Sequence, residues 1–326
     1  MRWRDRCGLL LAVIELFQQP LLAQRSTSPA SIAAQYSAAH AGDAVLVYRN
    51  DSLIFEQYQN GWKADQSHSL ASGTKAFACV LVALAQRDGL IRLETQIAQS
   101  QPTITPIDPR SPLAGVTVRQ LLNLTSGLST DQNGQLIRVA APGQRFAYGG
   151  VSFLVFNQLL ASKLPDGDVV GYLTRRVFRP LGMTSVVMEP GNLASGAAMT
   201  ARDWGKFGVL LLQRGEWQGR QLIPAAALAE CGKGSDANPY YGMGLWLNPA
   251  EPTRPAPSGV QRAGASDRIV SAPDLPHDLL LAAGSGGQRL YILPTQGLVV
   301  VRLGHNTGPD YRDEEFLRLL MVDPLH

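Results

Sequence analysis

The hydrophobic pattern changes period twice along the chain. Ala44–Tyr48 and Leu53–Tyr58 are short β-type runs joined by the turn cluster Arg49-Asn50-Asp51-Ser52, and together they predict an antiparallel hairpin. The period then becomes helical. Ala76, Phe77, Val80, Leu81, Leu84 and Ala85 recur at three- and four-residue spacing, and Asp88-Gly89 supplies a stop, so a long, apolar, central helix is predicted. From about 104 to 215 the signals stay mostly helical. Thr117 with Gln120 forms a capping box ahead of Val118–Leu124, and Thr200 with Asp203 does likewise ahead of Phe207–Leu212. Beyond 215, β-type runs return at Gly242–Leu247, Leu279–Ala283, Arg289–Leu293 and Gly297–Leu303, divided by Gly or Pro.

Strands at both ends with helices between predict one discontinuous α/β (α+β) domain rather than two consecutive ones. Its sheet part would take about 40–103 and 216–326, with a mostly helical part, about 104–215, inserted between them. The active cleft is expected where the two parts meet. The Pro-rich segment Asn248–Gly259 reads as a loop, because sheet signals continue beyond it.

Composition narrows the class. With 326 residues and 45% hydrophobic positions, the chain can bury a large core. Its 29 basic and 26 acidic residues leave a thin net charge of +3 with no basic stripe, which argues against a nucleic-acid partner. The first 23 residues place Arg2, Arg4 and Arg6 before the apolar run Gly8–Phe17, followed by Pro20 and Ala23. That is the order of a secretory signal peptide, so a secreted or periplasmic protein is expected, its single domain spanning 24–326. No other stretch reaches the roughly 18 uninterrupted apolar residues of a membrane helix, and no integral membrane span is expected in the mature chain. Cys7 falls in the leader, leaving Cys79 and Cys231. An oxidising compartment permits a bridge between them, but Cys79 sits inside the apolar helical pattern, and two buried free thiols are the favoured reading.

The informative local pattern is Ser72-Gly73-Thr74-Lys75 at the head of the long helix. Ser and Lys three positions apart share a helix face, so the amine can reach the hydroxyl, beside the free N–H groups of a helix start. A serine needs a base at neutral pH, and a lysine can serve only if burial or nearby cations hold it unprotonated. Alone, the spacing is common. The five histidines His40, His68, His277, His305 and His326 are scattered, with no H-E-x-x-H and no Cys-x-x-Cys, and no metal is predicted. His68, four residues before Ser72, reads as a hydrogen-bonded histidine at the cleft edge rather than a base. Neither a complete G-x-G-x-x-G nor a G-K-[ST] is present, so no cofactor is expected.

Ser72-Gly73-Thr74-Lys75, Gly115–Leu122 with Thr125-Ser126-Gly127-Leu128, Pro142-Gly143-Gln144-Arg145-Phe146-Ala147-Tyr148, and Met199-Thr200-Ala201-Arg202-Asp203 occur in an order and spacing that closely resemble the serine β-lactamase and penicillin-binding-protein superfamily. The likeness is to its class C-like branch, which also contains DD-peptidases, carboxylesterases and 6-aminohexanoate-oligomer hydrolases, and it runs from about residue 43 to 304. The resemblance implies a five-stranded antiparallel sheet flanked by helices, with an inserted helical region. It implies Ser72 as the acylated nucleophile, Lys75 as its proton acceptor and Tyr148 as the group that relays a proton to the leaving group. Gly284-Ser285-Gly286-Gly287-Gln288 corresponds to the family's Lys-Thr-Gly or His-x-Gly strand, so the backbone N–H groups of Ser72 and Gln288 are expected to form the oxyanion hole. Gly150, Ser285, Gly286 and Gly287 would line the substrate.

Two departures shape the expected chemistry. The family's Tyr-x-Asn is Tyr148-Gly149-Gly150 here, and the Lys or His of the last element is Ser285. A neutral hydroxyl cannot supply a charge-assisted contact to a substrate carboxylate, so efficient β-lactam turnover is not expected. The leading expectation is a serine hydrolase of the carboxylesterase or amidase type, acting on a small ester, amide or peptide-like substrate. Its alternatives are a true β-lactamase or DD-peptidase, and a non-catalytic ligand-binding member. Ser285 imitates a nucleophile elbow, but that elbow precedes a helix, whereas Arg289–Leu293 reads as strand.

Overall fold

The computed structural model describes residues 28–100, 110–250, 272–306 and 310–321. The expected leader and the middle of the loop after Asn248 lie outside them. The chain enters through α1 (Pro29–Ala39), whose N-cap hydroxyl on Ser28 accepts from the Ser31 N–H at 3.2 Å. The hairpin follows as β1 (Gly42–Arg49) and β2 (Ser52–Tyr58). A two-residue strand, β3 (His68–Ser69), leads into a 3₁₀ stretch, Ala71–Ala76, that continues as α2 (Phe77–Arg87). Every residue of α2 from Phe77 to Ala85 is buried, so its sequence is apolar on all faces instead of striped.

Next come α3 (Ile97–Ser100), α4 (Val118–Leu122), the hairpin β4 (Leu128–Thr130) and β5 (Leu136–Arg138), then α5 (Val151–Lys163) and α6 (Val169–Leu173). The capping box forms as read: Thr117 Oγ1 accepts from the Gln120 N–H at 3.2 Å, and Gln120 Oε1 accepts from the Thr117 N–H at 2.9 Å. β6 (Val187–Met188) and β7 (Ala197–Met199) join β3 in a small sheet of order β3-β7-β6. α7 (Ala201–Leu212), the hairpin β8 (Glu216–Trp217) and β9 (Arg220–Gln221), and α8 (Ala225–Ala229) lead to β10 (Trp246–Leu247). The chain closes with β11 (Leu280–Gly284), β12 (Gln288–Leu293), β13 (Leu298–Gly304) and α9 (Asp313–Met321).

The main sheet is antiparallel, in the order β10-β11-β12-β13-β1-β2. It has six strands where five were expected, the addition being the two-residue edge strand β10. The predicted run Gly242–Leu247 is strand only at its end, because Gly244 turns the backbone to a φ of +88°. Strand alternation fixes the layers. Leu290 packs toward α7, where a Cβ on Gly208 would lie 2.8 Å from it, while Arg289 and Tyr291 on either side bond to Asp313 of α9. Helices therefore cover both faces of β12, and all six of its residues are buried. α7 lies on the sheet although it falls within the stretch read as helical insertion; its periodicity marks a buried face, not which layer that face meets.

The reading of two free thiols is overturned. Cys79 in α2 and Cys231, just after α8, form a disulfide with their Cα atoms 5.7 Å apart. Both are buried, an environment shared by inert thiols and half-cystines, and nothing local tells residues 152 positions apart that they meet.

Candidate active site

Ser72 lies in the first turn after β3, half-buried. The residue before it, Ala71, has a φ of +47°, a conformation that costs a residue with a Cβ roughly 1–3 kcal/mol and persists only where neighbours enforce it. They do. The Leu70 N–H donates to the Ala197 carbonyl at 2.8 Å, the Ala71 N–H to Ser69 Oγ at 3.3 Å, and the Thr74 hydroxyl to the Ala71 carbonyl at 2.7 Å. Thr74 Oγ1 also accepts from the Ala197 N–H at 3.1 Å, tying the turn to β7. Gly73 is small of necessity, since a Cβ there would come within 2.9 Å of the buried Trp204 indole.

Lys75 is 4% exposed. Its Nζ lies 3.1 Å from Ser72 Oγ and donates to the Ala194 carbonyl at 2.8 Å. It also sits over the rings of Tyr148 and Phe153, 5.1 and 5.7 Å from their centroids. No carboxylate among the described residues pairs with it. Burial alone therefore lowers its pKa, from the ordinary 10.5 to about 8. The missing amide of the Tyr-x-Asn pattern falls at Gly150, where a Cβ would already be 3.2 Å from the Ala194 side chain, and the carbonyl of that same Ala194 holds the amine.

Tyr148 is fixed by aromatic neighbours that the sequence reading did not single out. Its ring stacks on Trp246 of β10 at 5.5 Å and meets Tyr241 edge-on at 6.0 Å. Tyr241 is fully buried, and burial, with Tyr148 nearby, pushes its phenol well above the usual value, so it stays neutral.

The glycine-rich element is the turn between β11 and β12. Ser285 is exposed at its tip, and Gly286 and Gly287 take φ values of +78° and +87°. Gln288 is paired with Gly284 across the hairpin, its side chain bonding the backbone of Gly304. The contact with the Ser72 segment comes from Gly284, the first residue of that element. A Cβ on Gly284 would lie 2.0 Å from the Leu70 carbonyl oxygen and 3.1 Å from the Gly73 nitrogen. Two fully buried arginines hold the turn by its carbonyls: Arg289 donates to Gly284 at 2.9 Å and Arg302 to Gly287 at 2.7 Å. Arg289 is neutralised by Asp313 at 2.7 Å, and Arg302 lies 4.2 Å from the Tyr311 ring.

His68 sits on β3, its ring tilted against Trp62 with the centroids 3.9 Å apart, and its Nε2 is 3.3 Å from Oδ2 of the buried Asp43. Burial holds its pKa below the usual imidazole value against the pull of that carboxylate. The other Asp43 oxygen is bonded to His305 at 2.6 Å. Among the described residues, no group of three or more His, Cys, Asp or Glu side chains is arranged to hold a metal ion.

The sequence matches the beta-lactamase family over residues 29–322. No curated protein matches it. Among solved structures, a Bacillus anthracis protein provisionally named a 6-aminohexanoate-dimer hydrolase superposes with a TM-score of 0.69 at 19% identity, covering 88% of this chain and 79% of that one. A β-lactamase/D-alanine carboxypeptidase from Pseudomonas syringae gives 0.67 at 16% identity, covering 91% and 99%. A D-stereospecific amidohydrolase from Streptomyces gives 0.64 at 15% identity, covering 90% and 98%. At such identities the likeness establishes the fold.

Proposed function

The chain belongs to the beta-lactamase family, and from that premise we propose that it is a serine hydrolase that cleaves an ester or amide through an acyl-enzyme on Ser72. The observation that carries the reading is the buried Lys75 amine, 3.1 Å from Ser72 Oγ and, among the described residues, without an acid partner. With its pKa at about 8, roughly a tenth of the amine is neutral at pH 7, and its lone pair can take the Ser72 proton as Oγ attacks the substrate carbonyl. Tyr148, whose ring faces that amine, passes a proton to the departing alcohol or amine. Water then attacks the acyl-enzyme by the reverse relay, releasing the acid and restoring Ser72. The negative oxygen of each tetrahedral intermediate is met by backbone N–H groups of Ser72 and of the Gly284–Gln288 turn, whose carbonyls are already engaged by Arg289 and Arg302. Secretion, read from the N-terminal pattern, remains part of this proposal.

Intact-protein mass spectrometry after exposure to a fluorophosphonate, with peptide mapping, tests the nucleophile before any substrate is known. One adduct on the Ser72 peptide, lost in Lys75→Ala, is the expected result. An adduct on Ser285, or none on folded protein, would overturn the reading and favour a non-catalytic binder.

A further inference from the structure

Beside Tyr148 the helical part encloses a cavity of about 250 Å³, open to solvent, whose lining includes Leu124, Leu128, Val139, Arg145, Tyr148 and Ser152. Leucine and valine supply apolar wall. Ser152 does not compete for a ligand, its hydroxyl being bonded to Ser126 at 2.8 Å. Arg145 is different: it is exposed at the cavity and, among the described residues, makes no hydrogen bond or ion pair. Of the other arginines of the helical part, Arg119 is engaged with Glu94 and Glu230, Arg138 with the Pro112 carbonyl and Arg176 with Asp88, while the exposed Arg179 and Arg214 do not line this cavity. A guanidinium left unpaired beside apolar wall offers a planar, permanently charged fork for an anion.

The cavity adjoins the reacting groups through one residue. Tyr148 lines it, and the Lys75 amine sits over the ring of the same Tyr148. On the sheet side the turn presents only the neutral Ser285, so the charge available to an anionic substrate lies on the helical side. We infer that this cavity is a specificity subsite in which Arg145 binds the carboxylate ending a short aliphatic arm of the substrate, the methylenes lying on Leu124, Leu128 and Val139. The inference rests on the acyl-enzyme reading and gives its substrate class: esters or amides carrying a free carboxylate.

Three esters test it: neutral 4-nitrophenyl butyrate, mono-4-nitrophenyl glutarate with the carboxylate on the acyl half, and 4-butyryloxybutyrate, followed by acid release, with it on the leaving half. Arg145→Gln is expected to lower kcat/KM ten- to a hundredfold for one carboxylate ester, mainly through KM, while butyrate stays within twofold. Arg145→Lys recovers part of the loss, and the ester affected tells which half enters the cavity. Equal effects on all three esters would overturn the inference. Glutarate binding, followed by the fluorescence of Trp246 stacked on Tyr148, gives a readout free of catalysis. Saturable binding lost in Arg145→Gln supports the subsite even if Ser72 fails to label, which sinks only the acyl-enzyme reading. Labelling of Ser72 with glutarate binding unchanged in Arg145→Gln sinks only the subsite.

Discussion

Replacing Lys75 by methionine is expected to abolish acylation of Ser72 and yet stabilise the fold at neutral pH. The amine has its ordinary proton affinity in the unfolded chain, with a pKa of 10.5, and a depressed one of about 8 in the native state. Each tenfold difference is worth about 1.4 kcal/mol, so at pH 7, below both values, the buried ammonium costs the native state about 3 kcal/mol. Between pH 8 and 10.5 the unfolded chain holds the proton that the native state has lost, so wild-type stability rises with pH across that window. By pH 10 the cost has fallen to about 1 kcal/mol. Methionine removes the charge at similar volume but leaves the Ala194 carbonyl without the donor now 2.8 Å away, a loss of about 1–2 kcal/mol. The variant is therefore expected to exceed wild type by about 1–2 kcal/mol at pH 7 and to lose that advantage at pH 10. Urea unfolding of both proteins at the two pH values, with the disulfide intact, measures this. A deficit of equal size at both pH values would show that the native amine carries no burial cost, and the case for Lys75 as base would fall with it. The companion kinetic result is a wild-type acylation rate rising about tenfold from pH 7 to pH 9, as the neutral amine fills in.

Two further predictions concern the frame around the site. Cys79→Ser with Cys231→Ser opens a link between residues 152 positions apart, and chain entropy puts the loss at about 5 kcal/mol; denaturant unfolding with and without reductant measures it, and reductant should change wild type alone. Gly284→Ala drives a methyl to within 2.0 Å of the Leu70 carbonyl oxygen, so fluorophosphonate labelling is expected to slow at least a hundredfold with a stability loss of about 2 kcal/mol; normal labelling would show that the turn need not touch the Ser72 segment.

What was legible in the sequence was what is local. The opening hairpin, the all-apolar α2 and the Thr117–Gln120 capping box each rest on neighbours a few positions apart, and each forms. The proximity of Lys75 to Ser72 is likewise a helical spacing. Tyr148 could be singled out only through the resemblance, because nothing in Phe-Ala-Tyr says that its ring will face a lysine. Ala194 and Trp246 were invisible for a stronger reason: each acts through a carbonyl or a stacking face, at positions distant in the chain. Arg289 and Arg302 carry no local signal of their place. They stand in β-type runs on the face that α1 and α9 cover, and the guanidiniums are buried among carbonyls.

β1 lies between β2, its hairpin partner, and β13, from the opposite end of the domain. During synthesis the hairpin and α2 can form early, but one edge of β1 has nothing to pair with until β13 has emerged. Closure of the sheet is then a late, non-local event, of the kind that makes folding slow. Until it happens, an apolar strand with free N–H and C=O groups stands open as a template for a second chain, so the interval before β13 pairs, more than the finished fold, sets this protein's exposure to aggregation.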